Sequence, residues 1–387
     1  MQWIKTDGKI VLSGIVMMLV MGSVYSYSVF RLPIEDYYNI SSAQSGVPYM
    51  LSLFFYALFM GVSGKLLENT SHFKVMISGA LFITLGWLLA FIGKNFVVLA
   101  LGYGVFIGTG IGLIYGIPLM VITERYEKKK GLYLGLVLLG FGLSPFLTAP
   151  FMQWLLDSTG LHQTFLFMSL FTFAILMSLS LFYRHTKKST NQKRPTPFID
   201  ILKTGKYQLL YSLFFIGTFI GLSVIGFSSS YIYSVHGYSL EEAAFFVSLF
   251  AVFNGLGRVL YGGLSDKYSI VATMGVSFLS MVLSTGLILM FSESIFVFVF
   301  GFSILWLNLG GWLAIAPLAT STLFGREAYS RNYGFLFSAY GLSALVGVTI
   351  SGYMVDAFNN YHSVFLMFFA LSIIGFTLTL CFKKVTA

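Results

Sequence analysis

Cysteine occurs once in this sequence, at Cys381, which excludes an internal disulfide and any metal site built from several cysteines. Charge is scarce too: 10% of the 387 residues are charged, against about 25% in soluble domains. The fourteen Asp and Glu and the five His fall in loops or at the ends of apolar segments. The apolar interior therefore offers no carboxylate to a cation, which argues against antiport of cations or cationic drugs. No G-x-x-x-x-G-K-[ST] stretch is present, so nucleotide-driven transport has no support. No nucleophile–base pair or metal-ligand cluster is visible either. Catalytic residues, a metal and a cofactor are not expected, and the chain does not read as an enzyme.

What is present is apolar sequence. Hydrophobic residues make up 57% of the chain and the mean hydropathy is +0.84. Twelve apolar segments, each long enough to span a bilayer, run near 10–30, 45–63, 75–93, 97–122, 131–155, 163–183, 208–233, 243–263, 270–291, 295–322, 333–355 and 362–382. They are numbered here as spans 1 to 12. Met1 to Lys9 is polar and the segment after it is long enough to span, so no cleavable signal is expected. The expectation is an all-α membrane protein with the lipid bilayer as its first partner.

The basic stretch between spans 6 and 7 carries Pro195 and Pro197 and divides the chain into an N-terminal half (1–185), a linker (186–207) and a C-terminal half (208–387). If the N-terminus is cytoplasmic, twenty of the 23 Lys and Arg fall on the cytoplasmic side, and only Arg31 and Lys94 face outward. This asymmetry places both termini inside a cell membrane. It also accounts for the net charge of +9 without nucleic acid.

The halves repeat one another. Gly64-Lys-Leu-Leu-Glu68 recurs as Gly262-Gly-Leu-Ser-Asp266, 198 residues on. Gly112 and Pro118 recur as Gly311 and Pro317, Gly142-Leu-Ser144 as Gly341-Leu-Ser343, and Asp157 as Asp356, each 199 residues on. Parallel repeats of six spans place a site between the halves, near the midplane.

The one charge left over is Arg258, deep in span 8. Holding an Arg at the centre of a span costs about 2.5–3.5 kcal/mol on insertion scales, so such a residue is a functional candidate, and a lone cation asks for an anion. The competing reading is an Arg that snorkels to the membrane surface, since Asp266 is eight residues, or roughly 12 Å of helix, away. Asn254 shares a face with Arg258 at i, i+4 and can orient it or donate to the anion. A guanidinium grips a carboxylate through two parallel N–H···O bonds.

Several of these motifs resemble known ones. Gly64 to Glu68 and Gly262 to Lys267 resemble the loop signature G-x-L-x-D-[RK] of the major-facilitator transporters; the second copy is the better match, and Glu68-Asn69 departs from it. In both turns Gly would let helix ends approach. The acids Glu68 and Asp266, with Lys267, would hold an inner gate by capping a neighbouring helix. Phe253-Asn-Gly-x-x-Arg258, Tyr25-Ser-Tyr27, Gly110-Ile-Gly-x-x-Tyr115 and Tyr329-Ser-Arg-Asn-Tyr-Gly334 together resemble the oxalate/formate antiporter family, related to the monocarboxylate transporters.

The resemblance covers the whole chain. It implies a 12-span major-facilitator fold of two pseudo-symmetric six-helix halves, expected as a monomer. It also implies alternating access by a small organic anion, with proton coupling or exchange. Tyr25, Tyr27 and Tyr115 would add hydroxyl donors, and Trp312, after a Gly-Gly pair in span 10, another aromatic wall. Oxalate-transporting members carry a Lys in span 11 where this chain has Tyr340. Two cations suit a dicarboxylate and one suits a monocarboxylate such as lactate, pyruvate or formate. Dicarboxylate exchange is the second reading, and a transporter-like carboxylate sensor a third.

Overall fold

A computed structural model describes residues 2–67, 70–125, 130–184, 202–324 and 329–386. Most of the expected linker lies outside these residues, as do Glu68 and the side chain of Asp266. Among the described residues, twelve helices are long and apolar enough to cross a membrane: Gly8–Ser26, Ser42–Leu66, His72–Ile92, Phe96–Ile122, Gly135–Thr159, Leu161–Tyr183, Gly205–His236, Leu240–Ser265, Ile270–Met290, Ile295–Phe324, Asn332–Phe358 and His362–Phe382. They coincide with the twelve expected segments, and no strand occurs among the described residues.

Local sequence sets the ends of these helices. Ser71, Thr204, Ser239 and Ser269 each cap a span by accepting a hydrogen bond from a backbone N–H three residues on. At span 8 this becomes a reciprocal capping box between Ser239 and Glu242. Asn39, Gly237 and Asn359 end helices in the left-handed conformation that a C-terminal cap needs.

Span 1 departs from a plain helix. It runs helical to Gly22 and tightens into a 3-10 stretch over Ser23–Ser26. It then continues as a second helix, Ser28–Tyr38. Ser23 donates back to the Val20 carbonyl (2.7 Å) and Ser26 meets Thr148 of span 5 (2.6 Å) at the bend. Serine back-bonding of this kind bends helices. The continuation carries Arg31 back into the bundle, where the sequence suggests an outward loop.

Burial repeats every three spans. Spans 1, 4, 7 and 10 are 61–78% buried, while spans 3, 6, 9 and 12 are only 33–44% buried and present their apolar faces outward. The first set therefore lines the centre and the second faces lipid. Across the halves, span 5 packs along span 8 and span 2 along span 11. Span 8 shows both surfaces at once: Val259 and Leu260 are exposed, whereas Asn254 and Arg258 on the other face are buried. Spans 8 and 10 lie nearly backbone to backbone. A Cβ on Gly310 would sit 1.9 Å from the Asn254 carbonyl oxygen, so only glycine permits this contact.

Candidate functional site

Arg258 is 3% exposed. Its guanidinium carbon lies 5.7 Å from the centre of the Phe141 ring in span 5. Cation–π attraction at this range offsets part of the cost of burying the charge. Nε, Nη1 and Nη2 have no hydrogen-bond partner within the protein. A snorkelling Arg would reach water at the helix end; this one turns inward and keeps its donors unused. A buried guanidinium with five free N–H groups is prepared for an anion.

Asn254, one turn earlier, is fully buried. Its Nδ2 donates to the Trp306 carbonyl of span 10 (3.2 Å), and its Oδ1 has no partner. Gly142 of span 5 faces both residues. A Cβ there would lie 2.8 Å from Asn254 Oδ1 and 3.0 Å from Arg258 Nε. Any side chain larger than hydrogen would press on the two polar groups at once.

Phe141 joins this polar pair to an aromatic wall. Its ring meets Tyr25 edge-on at 5.2 Å, Tyr115 edge-on at 5.4 Å and Tyr56 at 6.0 Å. The Tyr25 and Tyr340 hydroxyls hydrogen-bond across the halves at 2.7 Å. Tyr25 also lies within electrostatic reach of Arg258. Tyr340 stacks on Phe337 (4.8 Å) and abuts Tyr56 (5.7 Å). All of these rings are buried. The arrangement supplies one cation, one amide and a ring of tyrosines, closed off from water.

Thus the structure gathers Arg258, Asn254, Tyr25, Tyr115 and Tyr340. It does not bring Tyr27 and Trp312 to them. Tyr27 donates its hydroxyl to the Ser45 carbonyl (2.7 Å) and stacks on Tyr49 (5.8 Å) towards the Arg31 end. Trp312 packs on Phe278 (5.2 Å) and Phe214 (6.4 Å) inside the C-terminal half. Its preceding glycines serve span 8 instead: Gly310 admits the Asn254 backbone and Gly311 the Tyr261 ring, 2.3 Å from where a Cβ would stand.

Of the expected gate residues, Lys267 is exposed, with Nζ 5.2 Å from the Tyr268 ring. The close helix approach expected at Gly64 and Gly262 is not found. Among the described residues, a Cβ at either would meet nothing within 4 Å.

Sequence reasoning missed Phe141, Gly142, Tyr56 and Phe337. A signal existed for two of them, because Phe141-Gly142 occupies the place in the first repeat that Tyr340-Gly341 holds in the second. It also misjudged Arg31, which is as buried as Arg258. Arg31 donates from Nε to Ser45 Oγ (3.0 Å), from Nη1 to the Gly226 carbonyl (3.1 Å) and from Nη2 to Ser42 Oγ (2.7 Å) and the Ser42 carbonyl. Glu35 pairs with it at 3.8 Å.

The bond to Gly226 crosses from the first half to the second. So does a bond from the Ala43 N–H to Asp356 Oδ2 (3.0 Å), and one from Ser229 Oγ to Ser28 Oγ (3.2 Å). These close the Arg31 end of the bundle. A cavity of about 420 Å³ opens at that end, lined by Glu35, Asp356, Tyr361 and His362 among others. Tyr361, in the turn before span 12, is pushed up to about 12, chiefly by burial and against the pull of Arg31. Its acidic lining makes this cavity a poor place for an anion.

The sequence profile of the Major Facilitator Superfamily matches residues 12–322 and 219–387. The chain is 26% identical over 379 residues to an oxalate:formate antiporter of Oxalobacter formigenes, covering 95% of this chain and 89% of that one. It is 24% identical over 360 residues to human monocarboxylate transporter 12, covering 81% and 69%. Its fold is similar to that of a bacterial homologue of the human lysosomal transporter Spinster, with a TM-score of 0.79 at 15% identity over 98% and 97% of the two chains. Twelve spans in two pseudo-symmetric halves are the architecture of a transporter, and the chain belongs to the Major Facilitator Superfamily.

Proposed function

We propose that this multi-pass membrane protein carries small monocarboxylates across the cell membrane by alternating access. One observation carries the reading: Arg258 is buried at the centre of the bundle with every nitrogen unpartnered. A carboxylate would take two of its N–H groups in parallel. Tyr25 and Tyr340 would cover the anion from one side, with Tyr115 and Tyr56 behind Phe141. The distribution of Lys and Arg supports cytoplasmic termini, with halves at 1–185 and 208–387 joined by a cytoplasmic linker. On that orientation the Arg31 end faces out.

The names of the two relatives, an oxalate:formate antiporter and a monocarboxylate transporter, support small organic anions as the cargo. The first also favours a second reading, exchange of a dicarboxylate for a smaller acid. A single cation argues for the monocarboxylate. Coupling to a proton would place that proton on the substrate, because no carboxylate among the described residues partners Arg258.

Counterflow in proteoliposomes tests the proposal. Unlabelled lactate, pyruvate or formate trapped inside should drive saturable uptake of labelled acid. Saturable binding without flux would leave a sensor, and flux driven by oxalate alone would select dicarboxylate exchange.

A further inference from the structure

We propose that Asp356 latches the Arg31 end of the bundle shut across the interface between the halves, and that it does so on one side only, at the seam of spans 2 and 11. The inference rests on the alternating access proposed above, in which the halves move apart at that end.

One face of span 11 meets the start of span 2 over about two helical turns. Val348, Gly352 and Asp356 are spaced i, i+4 and i+8, so they share that face. A Cβ on Gly46 would lie 2.9 Å from Val348 Cγ1, and a Cβ on Gly352 would lie 2.9 Å from the Ala43 Cα. The two backbones therefore touch with no side chain between them. Just beyond this contact, Asp356 Oδ2 accepts the Ala43 N–H (3.0 Å). A hydrogen bond to a carboxylate is roughly twice as strong as one between neutral groups.

Two further cross-half bonds at this end, from Arg31 to the Gly226 carbonyl and from Ser229 to Ser28, are buried. The Asp356 bond is exposed, so water reaches it first. Ser42 and Val355 line both the cavity of about 420 Å³ and a cleft beside Arg31 and Ser351 that is too narrow for water. Parting span 11 from span 2 would join the two and admit water to Arg31.

The repeat supplies an internal control. The 199-residue shift puts Gln153 and Asp157 of span 5 where Gly352 and Asp356 stand in span 11. The 198-residue shift puts Glu241 of span 8 where Ala43 stands in span 2. Here Asp157 Oδ1 accepts from Gln153 Nε2 of its own helix (2.8 Å) instead of reaching across. The start of span 8 is closed by its own capping box, Ser239 with Glu242. Glu241 adds a second negative charge at this seam, where like charges repel. One outer seam is thus tied by a charge and its counterpart is held by packing.

The test labels a thiol under the latch. Ser351→Cys in a Cys381→Ser background places the sole cysteine at a residue that is 1% exposed and lines the closed cleft. The rate at which a water-soluble maleimide modifies the purified full chain then reports opening of the Arg31 end. Asp356→Asn keeps an acceptor and removes the charge, and should label about threefold faster than this parent. Asp356→Ala removes both and should label about tenfold faster. Gly352→Val wedges the two backbones apart and should label at least as fast as Asp356→Ala. Asp157→Asn should stay within about twofold of the parent. Asp356 is exposed, so its variants leave the core intact and read the seam even if Gly352→Val fails to fold.

An Asp356→Ala rate within about twofold of the parent overturns the latch. So does an Asp157→Asn rate that rises as far as that of Asp356→Asn, because the two seams would then share the control. Labelling decides the latch by itself. Counterflow by the parent chain decides the alternating access on which it rests, so the two failures are told apart.

Discussion

Arg31 and Arg258 are equally buried in one bundle, and their surroundings are opposite. Arg31 spends its donors on Ser42, Ser45 and Gly226 and pairs with Glu35. Arg258 spends none. Burial of a cation is therefore not in itself a sign of function; the absence of protein partners is. A saturated guanidinium ties elements together, as Arg31 ties the bent end of span 1 to span 7. An unsaturated one is held at a cost that only a ligand relieves. The contrast also divides the molecule, with a saturated, closed end at Arg31 and an unsaturated cation at the centre.

The sharpest way to break this comparison is at the centre. Arg258→Ala and Arg258→Lys should each weaken monocarboxylate binding by about 100-fold or more, since Lys cannot reproduce the two parallel bonds. Melting temperature should stay level or rise, because an unpartnered buried charge is removed. Wild-type affinity in Arg258→Lys would sink the assignment.

Tyr340→Lys comes next. A second cation about 6 Å from the first charge is worth on the order of 3 kcal/mol at an effective dielectric near 20, before its own desolvation. The ratio of oxalate to lactate affinity should rise at least tenfold. Some stability should be lost, because Tyr340 gives up its bond to Tyr25 and its stack on Phe337. If the wild type already prefers oxalate to lactate, pyruvate and formate, Tyr340 is not the discriminator.

Arg31→Gln should do the reverse of Arg258→Ala. Affinity should stay within a few-fold, while stability falls by about 1–3 kcal/mol as Ser42, Ser45 and the Gly226 carbonyl lose their donor. A thermal melt and a binding isotherm on the same sample separate the two effects, and a variant that melts like wild type but cannot bind would invert the comparison.

The smallest effect is expected from Phe141→Leu. Losing the ring face costs a cation–π contact of about 1 kcal/mol, or several-fold in affinity if the ring holds Arg258 in its binding pose. Unchanged affinity would reduce Phe141 to a spacer.

The two halves show why only part of the site was legible in the sequence. The repeat that pairs Gly64 with Gly262 also pairs Tyr56 with Asn254 and Met60 with Arg258. The helices are alike, and the polar chemistry stands on one side. Hydropathy reveals the twelve spans because a bilayer demands long apolar runs. Arg258 is visible for the same reason, as a charge inside such a run. The family resemblance singles out Tyr25, Tyr115 and Tyr340 among 23 tyrosines, but Phe141 is one of 41 phenylalanines and local sequence does not mark it. Phe141 becomes distinct only when span 5 is packed on span 8.

Arg31 was hidden by a bend. The run Arg31-Leu-Pro-Ile-Glu-Asp36 looks like a loop, yet it continues as a helix into the bundle. Trp312 misled for a related reason. Its glycines mark a close backbone approach, but sequence does not say to which neighbour, and the neighbour is span 8.

The hydrogen bond that the Asn254 amide donates to the Trp306 carbonyl has a consequence for the direction of traffic. It fastens span 8 to span 10, so Asn254 and Arg258, which would hold the anion on the proposed function, move together as one piece of the C-terminal half. The N-terminal half contributes rings and no charge at the centre. On the proposed alternating access, the chemistry left to hold the anion would be the same when that half swings away on either face. Half-saturation should then be similar from the two sides of the membrane, and the carrier should run uphill or downhill according to the concentrations it meets.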